Sequence, residues 1–265
     1  SWVAPRGIVA AAVSSLFALR LDDLGYPGAS ELVAYTFLVI IATVILQSLT
    51  AGAVTRALDL AEADPNGVLI VGANGVARAI AQALTRQGFR VKLADTSYEE
   101  IRSARMAGLE TYYGDPISSH AEQYLELVGI GRLFAMSRRA RWNTLACLKY
   151  RSEFGPKRVF SLRNAEEREE SNRERPVDEF RAPRMFGKDV TYQKLASLLA
   201  AGGEIKPINL SEEFDLDAYR EKNGGSLIPL FLLTTDGKLR VINEDTPPED
   251  IVEGKLLALV WSAEH

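Results

Sequence analysis

Two hydrophobic patterns divide the sequence. Residues 32–55 form an apolar run without a charged residue, LVAYTFLVIIATVILQSLTAGAVT, between Glu31 and Arg56. After residue 66, short apolar runs alternate with segments whose apolar residues recur every three or four positions. The first pattern is typical of a transmembrane helix, which needs about 20 apolar residues, and the second of buried strands alternating with helices. We therefore expect a membrane part and then an α/β part. A buried helix of a soluble protein is the alternative interpretation of the first run.

A second apolar segment precedes this run. Residues 7–19 are rich in glycine, alanine and serine and directly follow Arg6. Small side chains let helices approach closely in lipid, so we predict two transmembrane helices within residues 1–56. The loop between them, DDLGYPGASE, is acidic, whereas Arg56 and most charged residues follow the second run. The positive-inside tendency then places the chain after about residue 56 in the cytoplasm.

The pattern after residue 66 predicts the fold class. Five apolar runs of strand length are separated by segments with helical spacing. This order favours a parallel sheet with helices on both faces, so we predict a Rossmann-like, doubly wound α/β domain over residues 67–164. The expected strands lie in the runs GVLIVGA, FRVKLAD, LETYYGD, IGRLFAMS and KRVFSLRN.

The remaining residues predict a linker and a small second domain. Residues 165–188 are rich in charge and poor in apolar residues, which indicates a solvated linker or an exposed helix. Residues 189–265 contain a helical segment after Thr191 and several short apolar runs, two of which flank Asp236 and Gly237. An Asp-Gly pair between strands favours a two-residue hairpin turn. We therefore expect a small α+β domain here.

A glycine-containing loop follows the first predicted strand. Gly72 and Ala77 fit the first and last positions of the pattern G-x-G-x-x-[GA], which binds the pyrophosphate of a dinucleotide at a helix N-terminus. Asn74 takes the middle position. Asparagine adopts left-handed backbone conformations more readily than most residues, but its side chain would occupy space near a phosphate. Gly75, one residue later, would restore some of that room.

A carboxylate ends the second predicted strand. Asp95 lies where an acidic residue accepts hydrogen bonds from a ribose and disfavours a 2′-phosphate. The alternative is that Asp95 caps the following helix, because DTSYEE is also typical of a helix start. The candidate cofactor-binding residues of these two strand ends are Gly72, Asn74, Gly75, Ala77 and Asp95.

Composition excludes several kinds of site. The formal net charge of −4 argues against a nucleic-acid partner, because phosphate binding needs a basic surplus. Cys147 is the one cysteine, and the two histidines are His120 and His265. We therefore expect no disulfide, no metal site and no histidine-based catalytic group. We expect Cys147 to pack as a small hydrophobe. We interpret the basic cluster at residues 138–141 as a solvated face; the alternatives are a nucleic-acid or anionic-lipid contact and a phosphate contact from one of its arginines.

Both N-terminal apolar segments resemble a transporter family. The sequences WVAPRGIVAAAVSSLFAL and FLVIIATVILQSLTAGAVTRAL resemble the last two membrane helices of bacterial monovalent cation:proton (sodium/proton) antiporters. The resemblance implies that Arg6, in the PRG motif, lies in the ion-translocating bundle, with Gly7 as the small residue beside it. It implies a multi-pass inner-membrane protein whose earlier helices lie upstream, in agreement with a start at SWVAPRG without methionine. An interfacial arginine that reaches the lipid headgroups is the alternative for Arg6.

The α/β segment resembles a second family. The sequences VGANGVA, LAD and YYGD and the asparagine of RWNTLA are similar to the nucleotide-binding half of the regulator-of-potassium-conductance family, of the TrkA-N type. The resemblance implies that Asp115 lies beside the cofactor and that Met136 and Ser137 face it. It implies that Asn143 is a ligand neighbour or a helix cap. The implied ligand is NAD(H) or an adenine nucleotide, and the implied assembly is a homodimer.

Together these features predict a sensor joined to a transporter. We expect membrane cation/proton antiport, Na⁺ or K⁺ for H⁺, regulated by a nucleotide bound to the cytoplasmic Rossmann-like domain. The alternative is a gating or regulatory subunit of a potassium channel or uptake system. A membrane-tethered NAD-dependent oxidoreductase is disfavoured, because no acid/base pair follows the nucleotide-binding segment, and we expect no enzyme activity.

Overall fold

The computed structural model describes residues 7–29, 31–57, 65–164, 182–210, 226–243 and 254–261. The chain divides into two compact units, residues 1–62 and residues 63–265. The boundary falls where the hydrophobic pattern changes from long apolar helices to short strands. The two units therefore correspond to the two patterns in the sequence.

In its described residues, the first unit has two helices in contact with each other, α1 (Ile8–Asp23) and α2 (Glu31–Ala57). The segment Glu31–Gly52 of α2 has a mean hydropathy of 2.3, and none of its most apolar stretch is buried. A core helix of a soluble protein would be mostly buried, so a membrane environment suits this helix better. The sequence predicts two spanning helices; among the described residues, α2 is the one helix with the required length and composition. With 16 residues, α1 is shorter than a span needs.

Threonine hydroxyls on α2 bond to the helix itself. Thr36, Thr43 and Thr50 each donate to the carbonyl oxygen four residues earlier, at 2.8, 2.8 and 2.6 Å. A hydroxyl satisfied in this way needs no water. These three threonine hydroxyls are therefore compatible with an apolar surrounding.

The two predicted transport residues lie at the start of the first unit. Arg6 lies outside the described residues. Gly7 precedes α1, and a Cβ placed there would lie 3.7 Å from Cγ2 of Ile40 on α2. Gly7 thus sits at a helix contact, as expected for a small residue in a packed helix pair.

A parallel sheet of five strands forms the first part of the second unit. Its strands are β1 (Gly67–Val71), β2 (Val91–Asp95), β3 (Glu110–Tyr113), β4 (Ile130–Ala135) and β5 (Val159–Ser161). The strand order is β3-β2-β1-β4-β5, with every pairing parallel. All five residues of β1 are buried, because the side chains on both faces of this central strand pack into hydrophobic clusters. The predicted doubly wound α/β fold is confirmed.

Helices connect these strands. They are α3 (Gly75–Arg86), α4 (Tyr98–Met106), α5 (Ser119–Tyr124) and α6 (Ala140–Phe154). Along α3, the residues Val76, Ile80 and Leu84 recur every four positions and are buried. Burial of that apolar stripe fixes α3 on the sheet and thereby fixes the loop that leads into it.

A helix and a second sheet complete the unit. They are α7 (Tyr192–Ala200), β6 (Glu204–Leu210), β7 (Leu227–Leu233), β8 (Leu239–Val241) and β9 (Gly254–Val260). The sheet is antiparallel, in the order β6-β9-β7-β8. The Thr191 hydroxyl accepts from the N–H of Lys194 at 3.2 Å and caps α7, as its position before the helix predicts.

The hairpin between β7 and β8 is longer than the Asp-Gly pair predicts. The N–H of Thr234 bonds to the oxygen of Lys238, which leaves a three-residue loop between them. Gly237 has φ of 76° and occupies the left-handed position that closes such a loop. The expected two-residue turn is therefore wrong, although glycine supplies the positive φ in both geometries.

The two sheets share one hydrophobic core. Phe134 of β4 stacks on Phe231 of β7, with ring centroids 5.5 Å apart. Met185 and Phe186 are buried in the same core, and Arg184 forms a parallel bridge with Ser161 of β5. The solvated linker expected over residues 165–188 is therefore wrong for residues 182–188, because two adjacent apolar side chains draw them into the core. Residues 165–181 lie outside the described part.

Candidate nucleotide-binding site

A cavity of about 230 Å³ opens at the carboxyl ends of β1, β2 and β4. Between β1 and β4 the order of the parallel strands reverses direction, and ligands bind at this position in open α/β sheets. Loops after several strands contribute to the wall. The residues that line the cavity include Gly72, Asn74, Asp95, Glu100, Ser137, Arg138 and Arg139.

Gly72 ends the central strand in a conformation that excludes a side chain. Its φ is 108°, and a Cβ at this position would lie 2.8 Å from the backbone nitrogen of Ser137 and 2.9 Å from the carbonyl carbon of Met136. L-residues rarely adopt this φ, and real Cβ atoms do not approach backbone so closely. Glycine is therefore required for the loops after β1 and β4 to meet.

The side-chain amide of Asn74 forms hydrogen bonds with main-chain groups of the protein and does not leave space for a ligand. It is 3% exposed and has φ of −63°, so its backbone is not left-handed. Its Oδ1 accepts from the N–H of Ala77 at 3.1 Å, and its Nδ2 donates to the oxygen of Met136 at 2.7 Å. The interpretation of Asn74 as a left-handed substitute for glycine is wrong, because the residue acts as the N-cap of α3.

The N-terminus of α3 retains free hydrogen-bond donors. Within the described residues, the backbone N–H groups of Asn74, Gly75 and Val76 make no hydrogen bond. Gly75 is exposed, and the nearest atom to a Cβ placed there is Nη2 of Arg78 at 4.0 Å. Unpaired N–H groups and the helix dipole favour an anion at such a position. Because Asn74 lines the cavity, this anion site adjoins it.

Asp95 connects the ends of β1 and β2. Its Oδ2 accepts from the N–H of Ala73 at 2.7 Å, and its Oδ1 accepts from the N–H of Ser97 at 2.8 Å. Ser97, not Asp95, caps α4, since its hydroxyl accepts from the N–H of Glu100. The helix-cap alternative for Asp95 is therefore wrong. Each carboxylate oxygen has a second acceptor position, so Asp95 can still accept from a ribose hydroxyl.

Charged side chains form a chain along the cavity. Arg78 donates from Nη1 to the oxygen of Ala73 at 2.6 Å and to Oε2 of Glu100 at 2.5 Å. The other oxygen of Glu100 accepts from Nη2 of Arg138 at 2.9 Å. Arg138 also donates from Nε to the hydroxyl of Tyr192 on α7, at 2.9 Å, with its guanidinium 5.8 Å from the ring centre. The hydrogen bond to Tyr192 raises the pKa of Arg138 above its usual value.

Arg139 differs from its neighbour. Its guanidinium makes no hydrogen bond or ion pair with any residue in the described ranges, and it is exposed at the cavity wall. Both carboxylates of the wall are engaged, Asp95 by backbone N–H groups and Glu100 by two arginines. The cavity therefore offers a free cation and free N–H donors, which favours an anionic ligand.

Two buried amides hold the loop after β4. Asn143 accepts from the N–H of Ser137 at 2.8 Å and donates to the oxygen of the same residue at 2.9 Å. Asn164 donates to the oxygens of Ser137 and Arg138 at 3.4 and 3.2 Å. Asn143 is thus neither a helix cap nor a lining residue. Its role is to fix the backbone from which Ser137, Arg138 and Arg139 project.

The structure separates the other predicted site residues. Ala77 is a fully buried residue of α3, and the side chain of Met136 lies in the core, so neither lines the cavity. Asp115 accepts from the N–H of Ile117 at 2.9 Å and also lies off the wall, which its neighbour Pro116 joins. Gly75 is not a lining residue but follows one. The predicted residues that reach the cavity are Gly72, Asn74, Asp95 and Ser137.

Sequence reasoning missed several lining side chains. Glu100 lies in the first turn of α4, the helix after β2, and Arg138 and Arg139 follow β4 after two intervening residues, Met136 and Ser137. Arg138 and Arg139 are exposed, as the interpretation of residues 138–141 as a solvated face predicts, but both also line the cavity, because the carboxyl end of β4 opens on it. The position of these residues just after the end of a parallel strand, rather than the basic cluster itself, was the sequence signal that could have identified them.

The described residues give little support for a metal site or a reactive thiol. They contain no group of three or more potential metal-ligating side chains. Cys147 is buried, and burial raises the pKa of its thiol to about 12. This thiol therefore packs as an apolar group, as predicted.

Comparison with known proteins identifies the fold of this region. Residues 68–181 match the family model of the TrkA-N domain. A search of curated proteins found no match.

Solved structures show distant similarity. One is the NAD(P)-binding domain of an exopolyphosphatase-related protein from Archaeoglobus fulgidus, with 18% identity over 39% of this chain and 78% of that chain, and a TM-score of 0.34. Another is the TrkA-N domain of inner membrane protein ybaL from Escherichia coli, with 16% identity over 38% of this chain and 76% of that chain, and a TM-score of 0.34. The GsuK channel bound to NAD matches with 16% identity over 95% of this chain and 50% of that chain, and a TM-score of 0.37. Similarities this low carry no argument about function, which rests on the family match and the site. Residues 68–181 of this chain therefore match the TrkA-N domain, and every residue that lines the cavity falls within that range.

Proposed function

We propose that this chain binds NAD(H) or an adenine nucleotide in the cavity and thereby regulates a membrane cation-transport system. The observation that carries the proposal is the combination of unpaired N–H groups at the start of α3 with the uncommitted guanidinium of Arg139 at one cavity. A diphosphate needs both kinds of group. The TrkA-N family match supports the same ligand class.

NAD(H) is the first ligand to test. Asp95 lies at the end of β2 on the cavity wall and retains acceptor capacity for ribose hydroxyls. A 2′-phosphate at that position would meet the carboxylate, so NADPH should bind more weakly than NADH. A mononucleotide such as AMP or ATP would use the same anion site.

The role is sensing rather than catalysis. None of the residues lining the cavity is a histidine, lysine or tyrosine, so the described wall offers no ordinary proton-transfer pair for hydride chemistry. Regulation then requires that the ligand binds two arrangements of the protein with different affinities. We further propose that the domain pairs with a second copy.

Calorimetric titration of the full chain in detergent tests the binding proposal. NADH, NAD, AMP and ATP are titrated separately, and NADPH serves as the comparison for the ribose contact. The variant Arg139→Gln should weaken binding of NADH about ten-fold, because a charge-assisted phosphate contact is lost. The matched control Arg141→Gln removes an exposed arginine that does not line the cavity and should bind like the wild type. Binding of none of the nucleotides would overturn the proposal.

The transport partner is a separate part of the proposal. We favour a gating or regulatory subunit of a potassium channel or uptake system, because residues 68–181 match the TrkA-N domain and the described residues hold one helix with the length and composition of a membrane span. The apolar helix α2 would hold this chain in the inner membrane with the TrkA-N domain on the cytoplasmic side. Alkaline carbonate extraction of membranes tests the attachment, since a spanning helix stays in the pellet and a peripheral protein is released.

A second candidate is the regulated part of a Na⁺(K⁺)/H⁺ antiporter. The PRG motif at Arg6 and the two apolar segments favour it. Proteoliposomes containing the full-length protein distinguish the candidates, because only an antiporter couples a cation gradient to proton movement without another chain. An antiporter that is regulated should change its flux when NADH is added on the cytoplasmic side.

A further inference from the structure

We infer that Arg138 is a ligand-responsive clasp: an anionic nucleotide in the cavity draws its guanidinium away from Tyr192 and so loosens the start of α7. This inference rests on the proposed function, since it concerns the same cavity. It adds the contact through which ligand binding in the cavity would affect α7, the helix that precedes the second sheet. We use the term clasp for the contact between Arg138 and Tyr192.

Arg138 occupies a position shared by three elements. It lines the cavity, its Nη2 bonds to Glu100 of α4, and its Nε bonds to Tyr192 of α7. Tyr192 does not line the cavity. A ligand therefore can reach α7 through Arg138 without touching α7 itself.

The clasp is weak enough to open. The side chain of Arg138 is 60% exposed, whereas that of Arg78 is 26% exposed. Exposed ion pairs, and a guanidinium hydrogen bond to a tyrosine hydroxyl at an exposed position, contribute little, because water competes for both partners. A guanidinium binds phosphate oxygens in a planar, charge-assisted arrangement that is stronger than a bond to a tyrosine hydroxyl. A phosphate near the start of α3 should thus outcompete Tyr192 for Arg138.

Glu100 remains satisfied when the clasp opens. Its Oε2 is bound by Nη1 of Arg78, which is itself fixed by the oxygen of Ala73. Loss of Arg138 therefore leaves the Glu100 carboxylate with one cationic partner. When Arg138 moves away, no unpaired charge remains in the cavity wall. Opening of the clasp is therefore not opposed by a large desolvation penalty.

The start of α7 is the part that should respond. The backbone of Tyr192 is held by a 2.8 Å bond from its N–H to the oxygen of Arg163, and Leu195 is buried in the shared core. These contacts keep the helix in place when the tyrosine side chain is released. The expected change is faster opening of the first helical turn, rather than unfolding of α7.

Thermodynamic reciprocity gives the inference a distinctive sign. If nucleotide binding breaks the clasp, then a protein that lacks the clasp does not have to break it and binds nucleotide more tightly. Tyr192→Phe removes the hydroxyl that accepts from Arg138 and keeps the ring. We expect this variant to bind NADH about three-fold more tightly than the wild type. Ordinary structural damage near a site would weaken binding instead.

Hydrogen exchange of the full chain in detergent, with and without NADH, tests the clasp. In the wild type, NADH should increase amide exchange in the first turn of α7, residues 192–195, several-fold. Tyr192→Phe should show this faster exchange without NADH and no further increase with it. Arg138→Gln serves as a second variant that also lacks the clasp, and Arg141→Gln is the matched control that should respond like the wild type.

The outcomes separate the two proposals. NADH binding with unchanged exchange in α7, or a Tyr192→Phe variant that responds like the wild type, would overturn the clasp and leave the proposed function standing. Absence of NADH binding to every protein would overturn both. Tighter binding by Tyr192→Phe together with its loss of the exchange response supports the clasp.

Discussion

The Nδ2 atom of Asn74 donates a 2.7 Å hydrogen bond to the main-chain oxygen of Met136. This bond joins the loop after β1 to the loop after β4, on the two sides of the position where ligands bind in such sheets. The same side chain caps α3 through its oxygen. Asn74 therefore holds the two loops of the site together, although its side chain is not free to bind a ligand.

Asn74→Gly should destabilise the protein and should not improve nucleotide binding. The variant leaves the buried oxygen of Met136 without its donor, which lowers the free energy of unfolding by about 1–3 kcal/mol. Urea unfolding measures this, and calorimetric titration with NADH measures affinity. Asn74→Ser retains the cap but loses the same donor to Met136, so it should lose nearly as much stability as Asn74→Gly if that bond is the cause. Tighter NADH binding by Asn74→Gly would show that the asparagine side chain obstructs a phosphate.

Gly72→Ala should be strongly destabilising. Its backbone conformation is unfavourable for alanine, and the added Cβ would meet backbone atoms of Ser137 and Met136. We expect a loss of about 3 kcal/mol in the free energy of unfolding. Gly88→Ala is the matched control, because Gly88 has φ of 88° and open space around it. Its expected loss is about 1 kcal/mol, from the conformation alone. Equal losses at the two positions would contradict the close approach of the loops.

Asp95→Asn should weaken both the fold and the preference for NADH. Its two carboxylate oxygens accept from two backbone N–H groups, whereas an asparagine amide offers one oxygen and faces the other N–H with a donor. The free energy of unfolding should fall by about 1–3 kcal/mol, and the ratio of NADPH to NADH dissociation constants should move towards one. Asp115→Asn is the control, because Asp115 accepts a single N–H through one oxygen and lies off the cavity wall. A wild-type nucleotide preference in Asp95→Asn would remove this residue from the ribose site.

Cys147 should make stability fall at alkaline pH. Burial raises the pKa of its thiol to about 12, whereas the unfolded value is about 8.5. The folded state therefore holds a proton that the unfolded state releases, so the contribution is fully present below pH 8.5 and is lost as the pH rises towards 12. Between pH 8 and 9.5, the wild type should lose about 1 kcal/mol more than Cys147→Ala in urea unfolding. Parallel pH profiles of the two proteins would show that the thiol titrates alike in both states.

Much of the fold follows from local pattern. The five apolar runs and the helical spacing between them specify parallel strands with crossover helices, and the β1 run is buried at every position. Gly72 is also foreseeable, because a turn from a central strand into a helix requires positive φ at that point. The limits of the pattern show at residues 182–188, where Met185 is buried within a stretch whose charge suggests a linker. Two apolar residues are too few to produce a periodic signal.

The element order, the glycine loop and the carboxylate at the end of β2 can be predicted from the sequence, because each depends on residues close together in the chain. The hydrogen bonds and ion pairs that connect the site residues become known from the three-dimensional fold. Arg138 bonds to Glu100 and to Tyr192, which are 38 and 54 positions away in the sequence. Asn74 likewise reaches Met136 across 62 positions. Local propensity and periodicity carry no information about such pairings, because the sheet order alone brings these chain segments to the same edge.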